Sequence, residues 1–419
     1  MKAKNFKLLG SVLLSCSLVF TAFSPGAGAS AADSSSPEKF RVLIQADKED
    51  KRELKQKYGE RWDFGKKGFT TDVNQKQYEG LKNRKDLEIR KVQKAKTVGT
   101  VKAEATRSAT PSDQTPWGIE AIYNISSIPS TSGGSGTRVA VLDTGTYIDH
   151  ADLAGNAEQC KDFTSGRGMK NGACTDKNGH GTHVAGTVLA DGGSDGLGIY
   201  GVAPDAKLWA YKVLGNSGFG WSDDIANAIR HAADEGNRLG VNVVISMSLG
   251  SSSKDSLIAD AVTYAYNNGA LVVAAAGNDG PDPDTIGYPG ALANAVAVAA
   301  LEDVQENGTY RVADFSSRGN PDTVGDDVIQ ERDVEVSAPG RTIESTWKDG
   351  GYNTISGTSM ATPHISGLAA KIWAANPSWN NHQLRDELQN RAKTNDIQGG
   401  LDAGSGDDIA SGFGFPLAQ

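Results

Sequence analysis

From Thr115 onward the chain alternates short, almost unbroken apolar runs with longer segments of helical periodicity. Arg138–Leu142, Lys207–Leu214, Val241–Ser246, Ala270–Ala275 and Ala295–Ala300 read as buried strands. His180–Ala190, Ser222–Leu239, Leu257–Asn268, Ser359–Ala374 and His382–Asn390 read as helices. Strands that are apolar along their whole length, joined by helical crossovers, predict an α/β fold. Its sheet is mainly parallel, with helices on both faces. Ligands of such sheets bind beyond the carboxyl ends of the strands, so any chemistry is expected at those tips.

The pattern is different upstream. Phe40–Ile44, Gly68–Val73 and Leu87–Gln93 are strand-like, and Glu49–Tyr58 and Asn74–Asn83 are helix-like, which predicts a small α/β domain over 38–97. A unit of about 60 residues buries too little surface to be robust alone. Ala95–Asp113, rich in Thr, Ala and Ser, shows no period and reads as a linker. At the start, Lys2, Lys4 and Lys7 precede a mostly apolar stretch, Leu8–Phe23. Small residues follow, with Ala27-Gly28-Ala29 as a cleavage site. That order predicts a secretory signal over 1–29; Leu13-Leu14-Ser15-Cys16, a loose lipoprotein box, is the alternative. Downstream of the signal no apolar run is long enough to span a membrane, so the mature chain is expected to be secreted.

Loss of the signal removes Cys16 and leaves Cys160 and Cys174. In an oxidising compartment so close a pair is expected to form a disulfide; two free thiols are the alternative. Charge adds a division. Residues 1–108 carry 23 Lys+Arg against 13 Asp+Glu, and the rest carries 19 against 38. The acidic part repels nucleic acid, whose binding depends on Lys/Arg contacts to phosphate, and it attracts the basic part.

Three segments stand out at element ends. Asp143 closes the strand Val139-Ala140-Val141-Leu142. His180 opens a small-residue helix in Asn178-Gly179-His180-Gly181-Thr182-His183. Ser359 follows Gly357-Thr358 at the start of a long helix. Taken singly, these are a turn former, a satisfied core histidine and a helix cap. In the order Asp, His, Ser, with VAVLDTG, GHGTHVAG and GTSMATPHISG around them, the region 114–419 resembles the subtilisin family of serine proteases. Esterases of the G-x-S-x-G type have a different elbow and the order Ser, Asp, His.

The resemblance implies a secreted endopeptidase of broad specificity acting on proteins and peptides. Ser359 would be the nucleophile, His180 the base, Asp143 its orienting carboxylate and Asn278 the oxyanion donor. It implies substrate contacts at Leu214, Gly218, Gly220, Ser248, Leu249, Gly250 and Gly287, forming an open pocket for large apolar or aromatic side chains. It implies Ca2+ held by Asp152, Asp191, Asp195, Leu197, Ile199 and Gln114, in a loop longer than the common family form. The insertion Asn320–Asp333 would hold a further ion or be a solvated acidic loop. Residues 30–108 would be a prosegment that inhibits and chaperones the catalytic domain 109–419, with self-cleavage near Ser108–Ala109. The enzyme is expected to be a monomer without nucleic-acid or membrane partners.

Overall fold

A computed structural model describes residues 39–98, 107–166 and 168–419. The expected signal, with Cys16, lies outside these residues, as does 99–106 of the linker. The small domain comprises β1 (Lys39–Gln45), α1 (Lys48–Tyr58), β2 (Phe69–Asn74), α2 (Gln75–Lys82) and β3 (Glu88–Lys91). Its antiparallel strands lie in the order β2-β1-β3. Asp47 caps α1 by accepting from the amides of Glu49 and Asp50, and Asn74 forms a capping box with Gln77 at α2. Val42, Ile44, Leu54, Phe69, Val73 and Leu81 form its own core.

The linker of the sequence contains two strands, β4 (Lys94–Thr97) and β5 (Arg107–Ser108). The larger part follows with α3 (Trp117–Tyr123), β6 (Arg138–Asp143), β7 (Ala157–Asp162), β8 (Lys170–Asn171), α4 (His180–Leu189) and β9 (Lys207–Lys212). Next come β10 (Phe219–Trp221), α5 (Ser222–Leu239), β11 (Val243–Met247), β12 (Leu249–Gly250), α6 (Ser256–Asn267) and β13 (Leu271–Ala275). The chain finishes with β14 (Val296–Glu306), β15 (Thr309–Val312), β16 (Val336–Pro339), β17 (Ile343–Thr346), β18 (Tyr352–Ile355), α7 (Thr358–Ala375) and α8 (Asn381–Lys393).

A nine-stranded sheet runs β15-β14-β13-β11-β6-β9-β7-β8, with β16 also paired to β14. Only the pairings of β8 and β15 are antiparallel. Strand β6 shows why the apolar runs are unbroken: Val139 and Val141 enter the core under α4 and α7, while Ala140 and Leu142 enter the core under α5 and α6. Both faces are dry, so period-two alternation disappears. Besides the antiparallel edge strands β8 and β15, two parallel strands escaped the sequence pattern. Ala157–Asp162 is mostly polar and half-buried, and Val336–Pro339 is only four residues long. The disulfide forms as expected: Cys160 on β7 is bonded to Cys174, with a Cα–Cα distance of 5.0 Å.

Residues 39–419 pack as one unit. Leu43, Trp62, Val92 and Ala95 of the basic part belong to the same core as Ile225, Ala226 and Ile229 of α5 and Leu257 and Ile258 of α6.

Helix α8 is tied to the sheet by a buried ion pair. Arg385 Nε and Nη2 donate to the two oxygens of Glu335 at 2.8 and 2.6 Å. Arg385→Met is expected to leave that carboxylate unmatched, at a cost of about 3–5 kcal/mol. Calorimetry should then show a thermal midpoint several degrees lower; an unchanged midpoint would show that the pair contributes nothing net.

Candidate active site

Three backbone ends converge beyond the carboxyl edge of the sheet. Asp143 is the last residue of β6, His180 the first of α4 and Ser359 the second of α7. Close approach of β6 and α4 requires a glycine: a Cβ on Gly181 would lie 2.1 Å from the Gly145 carbonyl oxygen. The sequence therefore places two side chains against each other where bulk would separate them.

His180 Nδ1 lies 2.8 and 2.9 Å from the two Asp143 oxygens. Burial pulls the imidazole pKa down, but the charge and hydrogen bond of Asp143, with a smaller effect from Asp176, raise it above the ordinary histidine value. Nδ1 therefore carries the proton towards Asp143, and Nε2 has no hydrogen-bond partner among the described residues. His183 cannot share this role: burial pushes it to about 3.

Asp176, which sequence reasoning passed over, organises the loop before α4. Its Oδ1 accepts from the Thr144 hydroxyl and the amides of Asn178 and Gly179, at 2.8–3.0 Å. Its Oδ2 accepts from the amide and hydroxyl of Thr182 at 3.0 and 2.7 Å. The Asp-x-Asn-Gly turn before His180 was the available signal. Lys212 is buried and donates from Nζ to the Thr144 carbonyl.

Asn278 follows β13. Its Oδ1 accepts from both the amide and the hydroxyl of Thr358 at 2.9 Å, which turns its Nδ2 toward the carbonyl oxygen of Val98, 3.5 Å away. Ser359 Oγ lies 3.1 Å from that same oxygen and 3.1 Å from the Ser248 carbonyl oxygen. Ser248 Oγ in turn donates to the Ser359 carbonyl at 2.7 Å. The residue that presents its carbonyl to Ser359 is thus Val98, not Ser108. Ser108 instead pairs with Tyr352 on β18.

Val98 arrives there because β4 fills the cleft as the middle strand of a three-stranded antiparallel sheet, β10-β4-β12. Gly220 pairs with Ala95, Leu249 with Thr97 and Gly250 with Lys96. The Thr97 amide donates to the Gly218 carbonyl at 2.8 Å. Leu214 lies in the same core as Ala95, and a Cβ on Gly220 would meet its Cδ2 at 2.7 Å. A Cβ on Gly250 would press on Val98 Cγ2 at 3.3 Å. Beside Val98 is a cavity of about 500 Å³ lined by Gly250, Ser251, Asn278, Ile286, Gly287 and Tyr288. A Cβ on Gly287 would meet the Ser251 carbonyl at 3.3 Å, so Gly287 serves backbone packing as well as space.

The loop expected to bind calcium is assembled around Asp152. Asp152 Oδ2 accepts from the Ile199 amide and the Tyr352 hydroxyl, both at 2.9 Å. A Cβ on Gly198 would sit 1.9 Å from Oδ1. Burial and the charge of Asp152 raise the Asp191 carboxyl above its usual range, against the Gly193 amide bond. The Gln114 amide donates to the carbonyls of Gly196 and Gly198. These two carbonyls, rather than those of Leu197 and Ile199, face Gln114. The long loop closes on itself, with the Gly192 amide donating to Ile199 and the Gly198 amide to Gly192 at 3.0 and 2.8 Å. Asp195 is used internally, by the Leu197 amide. Among the described residues no three acidic, His or Cys side chains gather as a metal centre. The set is instead carboxylate, amide and carbonyl oxygens, which suits a hard cation. In the insertion, Asp333 accepts from the Thr323 hydroxyl and the Gln330 amide, closing that loop internally.

Residues 134–414 match the profile described as the Subtilase family. A protein named Subtilisin from Bacillus sp. (strain TA39) is 58% identical over 419 residues, 99% of this chain and all of that one. Subtilisin Savinase from Lederbergia lenta is 41% identical, over 66% of this chain and 91% of its own. Among solved structures, Sphericase superposes with a TM-score of 0.73 at 67% identity and S41 Psychrophilic Protease with 0.73 at 65%; each covers 74% of this chain and 99% of its own.

If Asp143 is what raises His180, Asp143→Asn should leave burial opposed only by the smaller effect of Asp176. NMR titration should then find His180 below about 6.5. A His180 still titrating above that value would show that another group holds it.

Proposed function

The chain belongs to the subtilase family and is a subtilisin-like serine endopeptidase, and from that premise we propose which residues carry the reaction. Ser359 is the nucleophile, His180 the general base and acid, Asp143 the group that holds the imidazole, and Asn278 the oxyanion donor. The observation that carries this is the Val98 carbonyl, held between Ser359 Oγ and Asn278 Nδ2.

A serine hydroxyl needs an adjacent base. As Ser359 Oγ bonds to the carbonyl carbon, its proton passes to His180 Nε2. The imidazolium is stabilised by Asp143 across Nδ1. The former carbonyl oxygen takes the electron pair and is held by Asn278 Nδ2 and the Ser359 amide. Collapse breaks the C–N bond, and the proton on Nε2 goes to the departing amine. Water then repeats the sequence on the acyl-enzyme. Loss of an Asn donor in this position lowers turnover about 10²–10³-fold, the magnitude established on a subtilisin itself.

Substrates bind extended between the edges of β10 and β12, as β4 does. The cavity beside Val98 is larger than a valine side chain needs, which supports a broad preference for large apolar or aromatic residues. Calcium would be held by Asp152, Gln114 and the loop 191–199. There it would neutralise the Asp152–Asp191 pair and brace the loop that follows α4. No helix among the described residues is long and apolar enough to cross a membrane, and with the amino-terminal signal pattern this supports secretion.

Residues 30–98 act as an inhibitory prosegment, and the position of Val98 supports self-cleavage between Val98 and Gly99. A cut near Ser108–Ala109 then requires a later event, since Arg107 and Ser108 are held on β18. Ser359→Ala should accumulate as uncut precursor, about 8 kDa larger than the first product at ~110 Da per residue. Amino-terminal sequencing of that product should begin at Gly99. Ser359→Ala protein of normal size, from a host without other proteases, would refute self-cleavage.

A chelator should lower the thermal midpoint and hasten autolysis, because an ion bound only by the folded state stabilises it. Asp152→Ala should do the same and abolish most further effect of the chelator. A midpoint indifferent to both would remove calcium from this loop.

A further inference from the structure

Helix α5 begins with two adjacent carboxylates, Asp223 and Asp224, which are 0% and 1% exposed. Their hydrogen bonds come from the basic domain. Arg41 Nη1 donates to Asp223 Oδ1 at 3.2 Å and to Asp224 Oδ2 at 3.0 Å. Arg61 grips Asp224 with both arms of its fork, Nε to Oδ1 at 2.8 Å and Nη2 to Oδ2 at 2.9 Å. Trp62 Nε1 donates to Asp224 at 2.7 Å, and the Thr70 hydroxyl to Asp223 at 2.8 Å. Both arginines are themselves buried, and Arg41 also lies over the Trp221 ring, 4.8 Å from its centroid.

We infer that Asp223 and Asp224 form a guanidinium-binding site on the mature protease, whose occupants are Arg41 and Arg61 of its own prosegment. Separate from the cleft filled by β4, this site sets how long the cut prosegment stays bound. The inference rests on the prosegment reading above.

The physical case is the mutual dependence of the four groups. Two neighbouring carboxylates out of water repel one another. Burial, then the charge of Asp224, push the Asp223 carboxyl up to about 6 against the pull of Arg41, Thr70 and Arg61. Planar guanidinium groups answer such a pair with directed, charge-assisted bonds that a lysine cannot reproduce. When the prosegment leaves, water replaces the arginines and the positive end of α5 still favours the two acids. The mature domain therefore tolerates the empty site, while the bound prosegment cannot lose either side of it without burying an unmatched charge.

The test uses the full chain, as wild type and as Arg61→Gln, Asp224→Asn and the double variant. Gel electrophoresis follows cleavage, and size-exclusion chromatography follows departure of the cut piece. Each single variant should release the prosegment at least about thirtyfold faster than wild type, since truncating one partner of a buried charge pair acts on dissociation. The double variant should release it no faster than the faster single, and Arg61→Lys should fall between wild type and Arg61→Gln. Arg61→Gln changes nothing in the protease itself, so it keeps the result readable if Asp224→Asn does not fold. Release by both singles within about threefold of wild type would overturn the inference. A wild-type chain that is never cut, or whose pieces part as soon as they form, would overturn the prosegment reading and this inference with it.

Discussion

A buried carboxylate has to be matched by its neighbours, and at the tip of β6 those neighbours are the Thr144 amide and one imidazole. The Asp143–His180 contact at 2.8 Å sets the demands on everything around it. Strand β6 must end under the start of α4, so Gly145 and Gly181 must touch with no Cβ between them. The turn before α4 must hold the ring in one orientation, which Asp176 does through five hydrogen bonds to Thr144, Asn178, Gly179 and Thr182. The other imidazole nitrogen is left without a hydrogen-bond partner among the described residues. Those supports lie in the parallel sheet and its two buried faces, so the reaction geometry depends on the same packing that makes the fold.

The same edge explains why the chain contains its own occupant. Strands β10 and β12 present unpaired backbone to the cleft, and β4 satisfies both. An exposed pair of strand edges is a liability that a folding protein must cover. Here the cover is a segment of the chain itself, held at its far side by Arg41 and Arg61 on the aspartates of α5 and at its near side by Val98 against Ser359. The opposite charges of the two parts favour their encounter.

Much of this was legible in the sequence where burial is two-sided. Strands β6, β9, β11, β13 and β14 announce themselves as unbroken apolar runs, and α5 is bounded in the structure by the residues that periodicity gave it, Ser222–Leu239. The nucleophile segment was legible only because three motifs occur in one order. What escaped was set by tertiary context. Lys94-Ala95-Lys96-Thr97 has no strand pattern and is a strand because β10 and β12 flank it. Val98 therefore could not be singled out, and the unpatterned linker points instead to Ser108–Ala109, beside a segment that β18 holds. Asp176 looked like any turn aspartate. In the calcium loop, the Gly196 and Gly198 carbonyls that accept from the Gln114 side chain were not singled out in the sequence.

The Asp143–His180 pair is expected to prime Ser359 alone among the serines. Labelling mature enzyme with a serine-directed sulfonyl fluoride and mapping its peptides by mass spectrometry tests this in one step. A single modified peptide carrying Ser359, absent when His180→Ala protein is treated for the same time, is the expected result. Labelling elsewhere, or labelling of Ser359 at an undiminished rate without His180, would contradict it.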